Sequence, residues 1–384
     1  MLELDLNQDE IPYGTNIKII GVGGAGGNAV DTMIGYDLQG VEFIVANTNI
    51  LDLKRSKAKV KLQLGKEVTR GLGAGANPDV GRKAAEESRE DIKRILKDTD
   101  LLFIAAGMGG GTGTGATPVI AQLAREMGIL SIGIVNRPFI REGKKRTVNA
   151  EKGINKLKEQ VDTLIVVPNE KLKDIFPDMT VIEAFKKADD VLYQAAKAIS
   201  DIIHFSGYMN VDFADVKTVM SNHGLALMGT GIGDGDDRAA EATRIAINNP
   251  LLADIPVDNA KGILINITAG KDFKIDEFEI ISKEIVMKTG DEGEMITGII
   301  FDDAMEGKIK VTVIATGLDT PATSIYERES IIQEKSDDSE DIGNTLRRIR
   351  DADTMNLHKQ QDNNTKEFPG KQMEIPAFLR KFSN

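Results

Sequence analysis

The chain has 384 residues, 41% of them hydrophobic and 28% charged, and a formal net charge of −12 at pH 7. That length accommodates two domains with a core each, and the composition is that of a soluble globular protein. The acidic balance argues against a nucleic-acid partner, which calls for a basic face. With no cysteine and three histidines, disulfides, thiolate chemistry and Cys/His zinc sites are excluded. The segment Met1 to Gly14 is acidic and has no apolar signal core, and no run approaches the roughly 20 apolar residues of a membrane span. A cytoplasmic protein without direct membrane insertion is expected, any membrane contact going through a partner.

Ile17–Ile20 reads as a strand entering Gly21–Val22–Gly23–Gly24–Ala25–Gly26–Gly27–Asn28, with helical spacing on through Met33. A G-x-G-x-x-G between strand and helix suggests a dinucleotide-binding first βα turn. An NAD-dependent Rossmann oxidoreductase also wants an acid ending the second strand. Here Val41–Ala46 ends in Asn47–Thr48–Asn49. A short strand near Val60–Leu64 leads to a second small-residue loop, Gly71 to Pro78, and a long charged helix is expected from Gly81 to Lys97.

The most informative stretch is Gly107–Met108–Gly109–Gly110–Gly111–Thr112–Gly113–Thr114–Gly115. It follows the strand Asp100–Ala106 and precedes a helix expected from Ala116 to Met127. Without Cβ atoms the backbone can approach a ligand closely and aim successive N–H groups at it, and the helix adds its positive end. This reads as a phosphate cradle, with a flexible linker as the bland alternative. It is not the G-x-x-x-x-G-K-[ST] P-loop, because no Gly-Lys pair here is followed by Ser or Thr.

The strand Ile129 to Val135 ends in Asn136–Arg137–Pro138, before Glu142–Gly143–Lys144–Lys145–Arg146. That cluster is either a solvated face or a site where Arg146 meets a polyanion and Glu142 takes ribose hydroxyls. Thr163 to Val167 is a further strand. Thr180 to Phe205 carries Ile182, Phe185, Leu192, Ala195, Ile199, Ile202 and Ile203 at helical spacing, long enough for a spine between two domains. Asp189 shares the face of Phe185. A carboxylate suits the N–H donors of guanine and an aromatic ring suits stacking, whereas Phe185 alone is equally read as core.

Asn210, Asp212 and Asp215 follow the spine. Acids at a helix start cap it and suit its dipole, which accounts for one of the two better than for both. The two carboxylates with Asn210 could instead polarise a water or sit near a cation. Strands are expected at Gly262–Thr268, Met295–Phe301 and Ile309–Thr316, with helices near Asp237–Asn248 and Asp276–Lys288, forming a second α/β domain. From Thr320 to Lys371 apolar content is low, as in a disordered tether. Ile375, Phe378, Leu379 and Phe382 then fall at i, i+3, i+4 and i+7, the pattern of a docking peptide.

The glycine loop at 107–115 matches the G-G-G-T-G-[ST]-G signature, and with it residues 15–318 and the terminal I-P-A-F-L-R-K-F peptide resemble the FtsZ family, bacterial relatives of tubulin. The resemblance implies an α/β fold: a Rossmann-like GTP-binding domain (15–179) with a parallel sheet, a central helix (180–205), a synergy loop with its following helix (206–225), and a smaller activation domain (226–318). A flexible segment (1–14), a disordered linker (319–371) and the docking peptide (372–384) would flank them. It implies a GTPase that polymerises head to tail into the cytokinetic ring at mid-cell, using GTP/GDP and Mg²⁺. Gly23, Gly24, Ala25, Gly26, Gly27, Asn28, Ala74, Gly75, Gly107, Gly110, Gly111, Thr112 and Gly113 would hold the nucleotide, with Glu142, Arg146, Phe185 and Asp189 at ribose, phosphate and base. Asn210, Asp212 and Asp215 would complete the hydrolytic site of a neighbouring subunit. Membrane-tether and regulatory division proteins would bind the tail. Ala25 stands where several relatives have glycine, and binding is expected to survive it.

Overall fold

The computed structural model describes residues 14–204, 211–221, 224–252, 260–290 and 293–318. Its first half comprises β1 (Ile17–Val22), α1 (Gly23–Gly35), β2 (Val41–Asn47), α2 (Ile50–Arg55), β3 (Val60–Gln63), α3 (Lys66–Thr69), α4 (Pro78–Glu87), α5 (Arg89–Leu96), β4 (Leu101–Gly107), α6 (Thr112–Glu126), β5 (Leu130–Arg137), α7 (Lys144–Lys158), β6 (Thr163–Pro168) and α8 (Leu172–Ile175). Then follow α9 (Val181–His204), α10 (Phe213–Met220), β7 (Gly224–Asp234), α11 (Arg238–Ile247), β8 (Gly262–Ala269), α12 (Ile275–Thr289), β9 (Glu294–Phe301) and β10 (Lys308–Leu318).

The ten strands form one sheet in the order β3-β2-β1-β4-β5-β6-β7-β10-β8-β9. Only β10 runs antiparallel to its neighbours. β1 and β6 are buried along their whole length and β4 up to its last residue, as strands covered by helices on both faces must be. The first six strands have the doubly wound order, which reverses between β1 and β4. Ligands of such sheets bind at the carboxyl ends of the strands at that reversal. One hydrophobic layer packs α4 to α7, α11 and α12 on one face, and a second packs α1, α9 and α10 on the other. The two halves of the sheet join through a short register, Thr163↔Gly224 to Ile165↔Ala226. On the α9 face the join is reinforced: Asn266 Nδ2 donates to the Ala198 carbonyl at 2.7 Å, and a β-carbon on Gly298 would come within 2.8 Å of Ile202.

Several elements depart from the sequence reading. The helix expected over 81–97 begins at Pro78 and breaks at Ser88, whose buried hydroxyl accepts the Gly65 N–H at 3.0 Å. The helix expected from Ala116 begins at Thr112, so the second half of the glycine loop is helical. Ile182, placed on the buried stripe of the spine, is 70% exposed, and the first buried residue of α9 is Ala188. β7 has no counterpart in the sequence reading. Its alternate residues Gly229, Gly231 and Gly233 face α11, and a β-carbon on each would overlap the carbonyl oxygen of Ala246, Ala242 and Arg238, one per turn. Glycine lowers strand propensity in isolation, yet here it permits strand and helix to pack backbone on backbone. The tether and docking peptide lie outside the described residues.

Replacing Gly231 by Ala places a methyl against that backbone and Ile245, neither of which can swing aside. Urea unfolding of this variant should show a loss of about 2–4 kcal/mol, the range for strain in a packed interior. An unchanged midpoint would mean that the β7–α11 packing is looser than described.

Candidate functional site: a cavity at the carboxyl edge of the sheet

The carboxyl ends of β1, β2, β4, β5 and β6 open into a cavity of about 450 Å³. Two helices begin there, α1 directly after β1 and α6 after the loop that follows β4. Neither first turn has a side-chain cap or an acidic residue. Asn49 starts α2, Asn77 starts α4 and Asp212 starts α10 with a side chain accepting a backbone N–H, and uncapped α3, α5, α8, α11 and α12 carry acids in the first turn instead. The uncapped ends of α1 and α6 leave N–H donors and helix-dipole charge facing the cavity, which suits an anion.

Glycine makes this convergence possible. A β-carbon at Gly23 would lie 2.9 Å from the Gly113 nitrogen, and one at Gly113 2.7 Å from the Gly107 carbonyl oxygen. Gly111 packs on Ala74, and Gly109, at φ +101°, on the backbone of Arg146. Gly24 and Gly110 differ, because a β-carbon there would meet no protein atom. They line the cavity and keep space open for a ligand to approach the backbone. Buried Thr48, following β2, meets the Thr112 hydroxyl at 2.6 Å and ties the start of α6 to the sheet. Thr114 accepts the Gly109 N–H at 2.8 Å.

On the far wall, Glu142 accepts the Phe139 N–H at 2.9 Å and pairs with Arg146 at 2.5 Å. Phe185 is 44% exposed and stands edge-on to Phe139, ring centroids 5.5 Å apart. Beside it, half-buried Asp189 has its carboxyl pushed up to about 7, first by burial and then by the charge of Asp190.

Comparison with known proteins places this architecture. The model of the Tubulin/FtsZ family GTPase domain matches residues 16–177, and that of the FtsZ family C-terminal domain matches residues 224–319. The cell division protein FtsZ of Buchnera aphidicola subsp. Baizongia pistaciae is 44% identical over 390 residues, covering 98% of both chains. The chain belongs to the FtsZ family. The FtsZ of Azotobacter vinelandii is 53% identical over 315 residues, covering 82% of this chain and 80% of its own. Among solved structures, an empty FtsZ dimer from M. jannaschii matches with a TM-score of 0.76 at 42% identity, covering 79% of this chain and 89% of that one.

In this FtsZ-family chain the cavity gathers Gly24, Ala25, Asn28, Ala74, Gly107, Gly110, Gly111, Thr112, Gly113, Glu142, Arg146, Phe185 and Asp189. Other residues from the sequence reading lie elsewhere. Gly26 is buried under the Ala105 carbonyl and serves helix–sheet packing. Gly23 and Gly27 line an adjoining cleft with Asn28 and Asp31, and Gly75 lines a separate groove between α4, α6 and α7. Asp212 caps α10 by accepting the Asp215 N–H at 2.9 Å, and both acids are exposed. α10 lies at the opposite edge of the sheet from the cavity: the Met220 carbonyl accepts the hydroxyl of Thr163, the first residue of β6. Asn210 lies outside the described residues.

The cavity also holds residues not singled out as contacts from sequence. Asn136, near the carboxyl end of β5, and Asn169, just after β6, are 6% and 4% exposed and have side-chain carbonyl oxygens that find no hydrogen-bond partner. A buried amide oxygen left unpaired is costly, and a donor on a ligand would satisfy it. Asn47 and Asp52 line the same space, the amide donating to the carboxylate at 3.3 Å. The available signal was position, since Asn47, Asn136 and Asn169 stand at the carboxyl ends of buried parallel strands.

The raised carboxyl of Asp189 has a thermodynamic consequence. The folded chain keeps this proton from about pH 3.8, where the unfolded chain loses it, up to about pH 7. Its contribution to stability is therefore full below about pH 4 and is lost as pH rises through 7. Thermal melts of the ligand-free protein from pH 4 to 8 should show a flatter decline for Asp189→Asn than for the wild type. Parallel curves would rule out Asp189 as the titrating group.

Proposed function

We propose that this chain is a GTP-hydrolysing cell-division protein that assembles head to tail, binding GTP or GDP in the cavity and completing its hydrolytic site with acids from the next subunit. The observation that carries the reading is the split across the sheet. The anion-binding turns are at the carboxyl edge, and the exposed acids Asp212 and Asp215 start α10, which packs at the amino edge. A single chain cannot bring them together. Two chains stacked cavity to amino edge can.

The two uncapped helix ends and the loop between β4 and α6 receive the phosphates, with Gly24 and Gly110 allowing the close approach. Arg146, about half exposed at its side chain, exchanges Glu142 for a phosphate, which frees Glu142 for ribose hydroxyls. Phe185 stacks on the base, while Asn28, Asn169 and ionised Asp189 read its edge. No cluster of three or more potential metal ligands occurs among the described residues. The carboxylate of Asp52 and the amide oxygen of Asn47 line the cavity and are hard oxygen donors, so they would be the residues near a Mg²⁺ carried in with the nucleotide. When bound, the ion offsets phosphate charge. Asp212 and Asp215 of the neighbouring subunit orient the attacking water, with Asn210 beside them in sequence. Hydrolysis then follows assembly. No helix among the described residues is long and apolar enough to cross a membrane. Action at a cytoplasmic division ring follows from the family, with Ile375, Phe378, Leu379 and Phe382 docking on membrane-tether and regulatory division proteins. Residues 15–179 and 226–318 act as two functional lobes on one continuous sheet, with 180–205 as the spine between them.

GTP turnover per subunit, measured against protein concentration with Mg²⁺, should be near zero below a threshold and rise above it. Asp215→Ala should bind GTP as the wild type does, lose at least about tenfold in turnover, the scale of a lost water-positioning group, and form longer-lived filaments. Wild-type turnover in that variant would sink the in-trans assignment. Removal of residues 373–384 should spare turnover and abolish capture by the tether. Loss of turnover instead would make the tail part of the folded core.

A further inference from the structure

α1 and α9 together build one wall of the cavity. α1 supplies Gly24, Ala25 and Asn28 from its first turns, and α9 supplies Phe185, Ala188 and Asp189. A base held between them senses the gap between Asn28 and Asp189. Whatever holds the two helices in register therefore sets how that base is read.

One set of contacts does this at the far end of α1. Tyr36, which ends the helix, packs its ring against Tyr193 of α9 with centroids 4.9 Å apart. Its hydroxyl donates to Asp190 Oδ1 at 2.8 Å. Lys187, one turn earlier on α9, holds Asp190 Oδ2 at 3.5 Å. Asp190 thus takes a donor from each helix, and it is the chain neighbour of Asp189. Tyr36 is 53% exposed, so its place depends on these directed contacts more than on burial. The hydrogen bond to Asp190 also raises its phenol above the usual range, which keeps it a donor through neutral pH. None of Tyr36, Asp190 and Tyr193 lines the cavity.

We propose that Tyr36, Asp190 and Tyr193 form a clasp that fixes α1 against α9 and thereby positions Asn28 and Asp189 for recognition of a guanine base. The inference rests on the guanine reading of the cavity. These are positioning residues, acting through others. Asp190 has a second effect, because its charge disfavours ionisation of Asp189, with Tyr36, Lys187 and Tyr193 as the other titratable groups facing it.

The test is competition binding of GDP and ADP to the full-length chain, diphosphates being chosen to avoid turnover. At pH 8, where Asp189 is largely ionised, Tyr36→Phe and Asp190→Ala should each lower the GDP-over-ADP preference about three- to tenfold, the scale of one hydrogen bond to a partly exposed charged group. The double variant should lose no more than either single, as expected of one shared interaction. Asp190→Asn keeps an acceptor for Tyr36 and removes the charge. It should keep the preference and move the pH midpoint of GDP binding downward, a shift that a purely structural role would not produce. If Asp189→Asn loses the preference while Tyr36→Phe and Asp190→Ala retain it, the clasp is overturned and the base reading stands. If Asp189→Asn retains it too, the base reading falls and the clasp with it. Additive losses in the double variant would also overturn the clasp as a unit.

Discussion

At the carboxyl edge of the sheet the first turns of α1 and α6 meet backbone to backbone, and the site depends on that contact. The Gly23–Gly113 approach leaves no room for a side chain, and Gly26 and Gly113 sit against strand carbonyls in the same way. Helix ends carry unsatisfied N–H groups, which this chain caps with Asn or Asp at α2, α4 and α10 and offsets with first-turn acids at most of its other helices. Leaving two such ends uncapped, close together and without acids concentrates donors and positive dipole in one place. The ligand-free protein gives up capping there, and a bound phosphate restores it. Stability and affinity for anions are thus two readings of the same groups.

The central helix extends this arrangement across the molecule. Its first turns carry Phe185 and Asp189 at the cavity, and its 24 residues span about 36 Å at 1.5 Å per residue. Its later turns pack on the second half of the sheet, through Ala198 against Asn266 of β8 and Ile202 against Gly298 of β9, and the helix also packs on β5 and β6 of the first half. The helix thus connects the cavity edge with the edge where α10 presents its acids. A rigid element joining the two surfaces of the proposed head-to-tail assembly would be placed to couple nucleotide state with contact between neighbours.

Much of the site was legible because its requirements are local. Glycine, threonine and a strand-to-helix transition point to a phosphate cradle from a few consecutive residues. The paired acids also showed a mismatch in sequence, capping accounting for one better than for both. β7 escaped because its glycines answer to α11, a neighbour that local propensity does not represent. The break at Ser88 escaped because it depends on the Gly65 N–H, 23 positions away. Asn136 and Asn169 are not singled out in sequence, because only the fold buries their amide oxygens beside an open cavity. Ile182 erred the other way: its spacing was right for a helix face, but no layer covers that part of α9.

By itself the sequence determined the α/β class, the glycine turns, the long helix and the aromatic and acidic pair upon it. Each follows from periodicity or from backbone freedom within a few residues. Only the tertiary structure decided which glycines face open space and which face backbone, where amides lose their partners, and that cavity and acids occupy opposite edges of one sheet. Those features depend on contacts between segments distant in the chain, and such contacts exist only once strand order and helix placement have been set by burial of the two hydrophobic layers.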